Sequence, residues 1–225
     1  MALIAPSILA ADFARLGEAL EVIKAAGAPM VHVDVMDGHF VPEITVGQPV
    51  VASLRKATDL VLDVHLMVER PERYVGEFQD LGADRLSVQA EATAQLHRVL
   101  GLIRGQGTKA GVALMPATTL ESVAEVLGQI DFLTILTANP GFESQDFLPH
   151  TVEKIHAASS MRADRRLSFA VQAEGAIGPE NFEELAQAGA DILVVGSAIF
   201  ESNSSQARLA EMVRLAARTQ TISKV

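Results

Sequence analysis

The chain has 225 residues, 49% of them hydrophobic and 20% charged, with no cysteine and a formal net charge of −10. That length suits one large α/β domain with a sizeable core and leaves no composition typical of long disordered tails. The acidic balance disfavours nucleic acid as a partner, and the lack of cysteine excludes disulfides, thiolate metal ligands and a cysteine nucleophile.

Short β-branched runs alternate with amphipathic helical patterns along the whole chain, without a Pro/Gly/Ser-rich linker. Strands are predicted near 3–8, 30–36, 61–67, 85–88, 109–114, 132–136, 167–173 and 192–195. Helices are predicted near 13–26, 47–58, 71–81, 94–105, 120–128, 151–160, 179–188 and 206–218. Gly27, Gly82 and Gly189 each stand where a helix must stop before the next strand, a place that favours the left-handed conformation. Eight βα units in one domain over residues 1–225 are the arithmetic of an α/β fold of the (β/α)8 TIM-barrel type; an open doubly wound sheet is the alternative. The apolar start at 2–11 has no basic leader, and no window holds the roughly 20 apolar residues of a membrane span, so a cytoplasmic protein with no membrane partner is expected.

The second strand reads Val31-His32-Val33-Asp34-Val35-Met36 and the third Leu62-Asp63-Val64-His65-Leu66-Met67. Alternation puts His32, Asp34 and Met36 on one face and the valines on the other. An imidazole and a carboxylate two residues apart on a strand can share one small target, such as a metal ion or a substrate oxygen, and His65 supplies another ligand. Buried His and Asp are costly unless paired or coordinated, which favours a site over packing. In a barrel the active site lies at the C-terminal strand ends, so Ser7, His32, Asp34, His65, Glu91, Asn139, Glu174, Gly196 and Ser197 converge on one mouth. Gly141, Gly175, Gly196 and Ser197 can turn backbone N–H groups toward a phosphate, although glycines alone mostly mark turns. Ser7 is read as a hydrogen-bond donor to substrate or to a ligand carboxylate, or as a simple cap.

With these residues the chain resembles the ribulose-phosphate 3-epimerase family. The resemblance rests on Ile4-Ala5-Pro6-Ser7-Ile8-Leu9, His32-Val33-Asp34-Val35-Met36-Asp37-Gly38-His39-Phe40-Val41-Pro42, Asp63-Val64-His65-Leu66-Met67, Asn139-Pro140-Gly141-Phe142, Ile177-Gly178-Pro179-Glu180-Asn181 and Gly196-Ser197-Ala198-Ile199-Phe200. It implies inversion at C3 of a ketose phosphate through an ene-diolate. It also implies a divalent metal (zinc, iron, manganese or cobalt) on His32, Asp34, His65 and Glu174, with Asp34 and Glu174 as the two acid/base groups. Met36 and Met67 match family methionines near the metal, and otherwise fill core. Ser7, Met36, Met67, Asn139, Gly141, Gly175, Gly196 and Ser197 are the expected substrate contacts, and a homo-oligomer is expected.

Several positions depart from the family pattern. Glu174 stands for the usual aspartate and Ala176 for a glycine. Glu143-Ser144 replace Gly-Gly, Gln89 replaces a histidine and Leu136 a methionine. An extra methylene at Glu174 displaces a carboxylate, and a misplacement of about 1 Å can cost on the order of a hundredfold in rate. Two further readings therefore stand beside the epimerase. One is a non-catalytic sugar-phosphate-binding paralogue on the same barrel. The other is a different metal-assisted enediolate reaction, such as an aldol or decarboxylation step, which would need a cation near the site.

Overall fold

The computed structural model describes residues 2–141 and 145–218 of the chain. Eight strands, β1 (Leu3–Pro6), β2 (Met30–Met36), β3 (Val61–Met67), β4 (Arg85–Gln89), β5 (Lys109–Leu114), β6 (Phe132–Leu136), β7 (Ala170–Glu174) and β8 (Ile192–Val195), alternate with helices. The α-helices are α1 (Leu16–Ala25), α2 (Gln48–Ala57), α3 (Val75–Asp80), α4 (Leu96–Gly105), α5 (His150–Asp164), α6 (Phe182–Gln187), α7 (Ser197–Phe200) and α8 (Ser205–Arg218). Each strand pairs in parallel with its sequence neighbour, and β1 pairs with β8, which makes a (β/α)8 TIM barrel and not an open sheet. Between β1 and β2 the ladder is a single bridge, Ser7 to His32, so this seam is the weakest joint of the wall.

Alternation along the strands separates two environments. Outward-facing Val31, Val33, Val35, Leu62, Val64, Leu66, Leu86 and Val88 pack into one buried apolar layer with the helices. Full burial of each such side chain is worth about 1.5–3 kcal/mol, so this layer supplies most of the stability. The inward faces are free to be polar: His32, Asp34, Asp63, His65, Gln89, Gln172 and Glu174 are all buried there.

Four expectations need correction. Residues 120–128 form no α-helix, only two 3-10 turns, Leu120–Val123 and Leu127–Gln129. Lys154 of α5 donates to the carbonyls of Met115, Pro116 and Thr118 at 3.2, 2.6 and 2.6 Å, which holds the preceding loop in an open conformation that periodicity does not reveal. Helix α5 runs beyond 160 and β7 starts three residues later than 167. The helix stops at Asp164, Arg166 beyond it turns left-handed at φ of 53°, and Leu167 N donates back to Arg162 O at 2.9 Å; no glycine marks this stop. Strand β1 ends at Pro6 because Ser7 caps a 3-10 turn, Ile8–Ala10. Helix α7 lies where no helix was expected, directly after β8.

Candidate active site

The register of the wall builds the site. His32 sits opposite Asp63, and Asp34 opposite His65. Glu174 enters from β7, separated from β2 by β8 and β1. Together His32, Asp34, His65 and Glu174 form a buried cluster with one ligand atom from each, all within 4.8 Å of one another. His32 Nε2 lies 3.2 Å from Asp34 Oδ1 and 3.3 Å from Glu174 Oε2. His65 Nδ1 lies 2.9 Å from Glu174 Oε1 and 3.8 Å from Asp34 Oδ1. The longer side chain of Glu174 thus still reaches both imidazoles.

This donor set fits a divalent cation. Four ligands at about 2.1 Å around a tetrahedral ion stand about 3.4 Å apart, close to the separations found here. Glu174 Oε2 is buried and, among the described residues, has the ion-pair contact with His32 Nε2 at 3.3 Å but no hydrogen bond, an unusual condition for a carboxylate oxygen inside a protein. The electrostatics agree. Burial pushes the His32 imidazole toward neutrality, but Asp34 and Glu174 outweigh it and hold its pKa well above the ordinary 6.5. Burial likewise works against the Glu174 carboxylate, yet His65 and His32 keep its pKa far below the usual carboxylate range. Two facing carboxylates therefore demand positive charge, which either a second proton on His32 or a cation supplies.

Both histidines are oriented from behind. His32 Nδ1 is 2.8 Å from Asp63 Oδ2, so this nitrogen donates and Nε2 faces the site. His65 Nε2 is 3.2 Å from Gln89 Oε1 in the amide orientation whose nitrogen donates to Ala113 O at 3.1 Å and to Glu91 Oε2 at 2.9 Å. Gln89, the departure at β4, is thereby an acceptor that directs Nδ1 of His65 inward. Ser7 plays both of its expected parts: Oγ donates to Asp34 Oδ2 at 2.6 Å and accepts from Leu9 N at 3.3 Å.

The cluster opens into a cavity of about 850 Å³ at the C-terminal mouth. Ser7, Asp34, Met36, Met67, Asn139, Gly141, Glu174, Gly175, Gly196 and Ser197 all line it, as does Leu136; His32 and His65 are fully buried behind. Met36 and Met67 also pack with Val41, so they serve as wall and core at once. Among the described residues no Lys or Arg lines the cavity, whereas Glu43, Glu180 and Glu201 do. Lys109 is far from the mouth, at the start of β5, and pairs with Asp131 at 3.2 Å. Phe142, Glu143 and Ser144, with the loop departure they carry, lie outside the described residues.

The turn after β7 is tight. Gly175 has φ of 116°, and a Cβ there would meet Ala138 N at 2.8 Å; Ala176 follows at φ 49°. Thr137, just after β6, locks the turn, its N–H donating to Glu174 O at 2.7 Å and its hydroxyl bonding to the carbonyls of Glu174 and Gly175. Asp63, Arg85, Thr137 and Gln172 were not singled out from sequence. Asp63 and Arg85 did stand in apolar strands as charged residues, which was the available signal.

Comparison with known proteins agrees with this geometry. Residues 3–200 match the ribulose-phosphate 3 epimerase family. The ribulose-phosphate 3-epimerase of Bacillus subtilis (strain 168) is 42% identical over 210 residues, covering 93% of this chain and 97% of its own. The chloroplastic ribulose-5-phosphate-3-epimerase of Arabidopsis thaliana is 44% identical over 200 residues, covering 88% of this chain and 71% of its own. Among solved structures, KGPDC from Streptococcus mutans superposes with a TM-score of 0.74 at 12% identity, covering 97% of this chain and 98% of that one, a likeness of fold alone. A chain with this barrel, this buried cluster and these relatives belongs to the ribulose-phosphate 3-epimerase family.

Proposed function

We propose that the protein is a metal-dependent epimerase that inverts C3 of a ketose phosphate, with D-ribulose 5-phosphate and D-xylulose 5-phosphate as the substrate pair. The buried His32–Asp34–His65–Glu174 cluster at the floor of the cavity carries the reading. These four side chains would hold the cation, which supplies electrostatic stabilisation to the negative charge that develops on the C2 oxygen when C3 loses its proton. Asp34 and Glu174 come from different sides of the mouth and are the two groups able to move protons there. One takes the C3 proton, the electrons pass into the C2–C3 ene-diolate, and the other delivers a proton to the opposite face.

The Ser7 hydroxyl, 2.6 Å from Asp34 Oδ2, orients that carboxylate. Asn139, on the cavity wall, would bind the sugar hydroxyls. With no cationic side chain on the wall among the described residues, the phosphate would rest on backbone N–H groups at Gly175, Ala176, Gly196 and Ser197.

The test is proton NMR of D-ribulose 5-phosphate in D2O with protein supplied with zinc, iron(II), manganese or cobalt. Deuterium entering C3 together with the xylulose epimer is expected. Asp34→Asn should reduce both by roughly 10²–10⁴-fold. If C3 remains protonated with every metal, the epimerase reading fails and the binding-only alternative takes its place.

A further inference from the structure

Below the cluster, on the side away from the mouth, one level of the barrel interior is filled by charge. His32, Asp63 and Arg85 occupy the same register on β2, β3 and β4. Asp63 is fully buried: Arg85 Nε donates to Oδ1 at 2.8 Å, while His32 Nδ1 and Gln172 Nε2 approach Oδ2 at 2.8 and 3.1 Å. Arg85 is pinned in turn. Its second nitrogen donates to Gln172 Oε1 at 2.8 Å, and its guanidinium carbon lies 3.9 Å from the centre of the Phe132 ring. Gly111 makes room for that ring, since a Cβ there would sit 2.3 Å from it.

We propose that Arg85, by claiming one oxygen of Asp63, makes Asp63 a positioning residue that holds the proton of His32 on Nδ1 and keeps the Nε2 lone pair aimed at the cation site. The inference rests on the metal-centre reading above. Guanidinium and amide N–H groups only donate, so a carboxylate, which only accepts, satisfies Arg85, Gln172 and His32 together. An asparagine at 63 has one oxygen to share. The charged guanidinium takes it, the stronger of the competing bonds, which turns the amide N–H2 toward His32. His32 then accepts on Nδ1, its proton moves to Nε2, and the ligand lone pair is lost.

Titration with Co2+, read by its visible absorption, tests this in the full-length protein. Asp63→Asn is expected to bind Co2+ at least tenfold more weakly than wild type, with an unchanged far-UV spectrum. Removing the guanidinium as well, in the double variant Asp63→Asn with Arg85→Met, frees the amide to rotate its oxygen back to His32 and should recover most of the affinity. An Asp63→Asn variant that binds like wild type overturns the proposal, as does a folded double variant that stays as weak as the single one. Should either variant fail to fold, 15N NMR of the Zn2+-loaded wild type decides. A proton on His32 Nδ1 and metal on Nε2 are expected, and metal on Nδ1 is the contrary result. Wild-type protein that takes up neither ion removes the metal-centre reading and this proposal with it, whereas loss confined to the variant comparisons removes the proposal alone.

Discussion

Gln89 shows how a single departure from the family pattern can be absorbed. An imidazole and an amide share little chemistry, yet what His65 needs behind it is one acceptor, and the Gln89 carbonyl provides one at 3.2 Å. The amide nitrogen is anchored on Ala113 O and Glu91 Oε2, so the carbonyl cannot turn away without leaving two acceptors unfilled. Gln89→Leu keeps the size but removes the acceptor. It should weaken Co2+ binding roughly 10–100-fold, with a loss of stability of about 1–3 kcal/mol from buried groups left unpaired. Unchanged cobalt affinity in that variant would show that His65 is oriented by Glu174 alone. Asp37, embedded in the most conspicuous motif of the chain, has a quieter role: its carboxylate accepts from the N–H groups of His39, Phe40 and Glu69 at 2.8, 2.9 and 2.8 Å and so shapes the rim. Burial works against its charge, but those three donors lower its pKa overall.

At the scale of elements, the turn after β7 is where sequence and conformation disagree. Ala176 carries a Cβ into the left-handed region at φ 49°, next to Gly175 at φ 116°. The left-handed conformation costs a non-glycine residue roughly 1–2 kcal/mol, part of which glycine would return through its freer unfolded chain. Ala176→Gly should therefore stabilise the protein by roughly 0.5–1 kcal/mol, a rise of about 1–4 °C in melting temperature, with little loss of activity. A lower melting temperature would mean that the Ala176 methyl makes contacts worth more than the strain. The turn tolerates this because Thr137, just after β6, grips the carbonyls of both Glu174 and Gly175. The β1/β2 seam is reinforced in the same way. Ser7 N donates to Val195 O at 2.9 Å, Ser7 bridges to His32, and its hydroxyl holds Asp34, so one residue joins three strands beside the buried cluster.

At the scale of the molecule, stability and metal uptake are linked through pH. In the metal-free protein the pKa of His32 is raised, so its contribution to stability is fully present below the ordinary value of 6.5 and is lost as pH climbs through the higher folded value. A cation on Nε2 must displace that proton, so metal affinity rises over the same interval. The melting-temperature increment produced by saturating Zn2+ should accordingly grow from pH 6 to pH 8. A flat or falling increment would show that His32 is not a ligand. Charge at large plays no part in this site. The chain carries a net charge of −10, and among the described residues the cavity wall has neither Lys nor Arg. Among the described residues no helix is long and apolar enough to cross a membrane.

All eight strands and their order were legible in the sequence, because burial on both sides makes parallel strands read as apolar runs and glycine stops separate them from the helices. The inward alternation of His32, Asp34 and His65 was legible for the same reason: a period of two is a local property of an extended chain. Barrel closure then implied that residues as distant as Ser7 and Ser197 meet at one mouth, and both line the cavity. What the sequence left undecided is the layer below. That His32, Asp63 and Arg85 share one register on three strands, that Gln172 reaches them from β7, and that Gly111 leaves space for Phe132 depend on the stagger of strands around the closed wall. The same holds for residues 120–128, where Lys154 of a later helix overrides an amphipathic pattern, and for Arg166, which turns left-handed just after α5 without a glycine. Alternation and periodicity are fixed by bonds between near neighbours. Which buried donor meets which buried acceptor is settled only when the barrel closes, since only then do distant side chains compete for the same few oxygens.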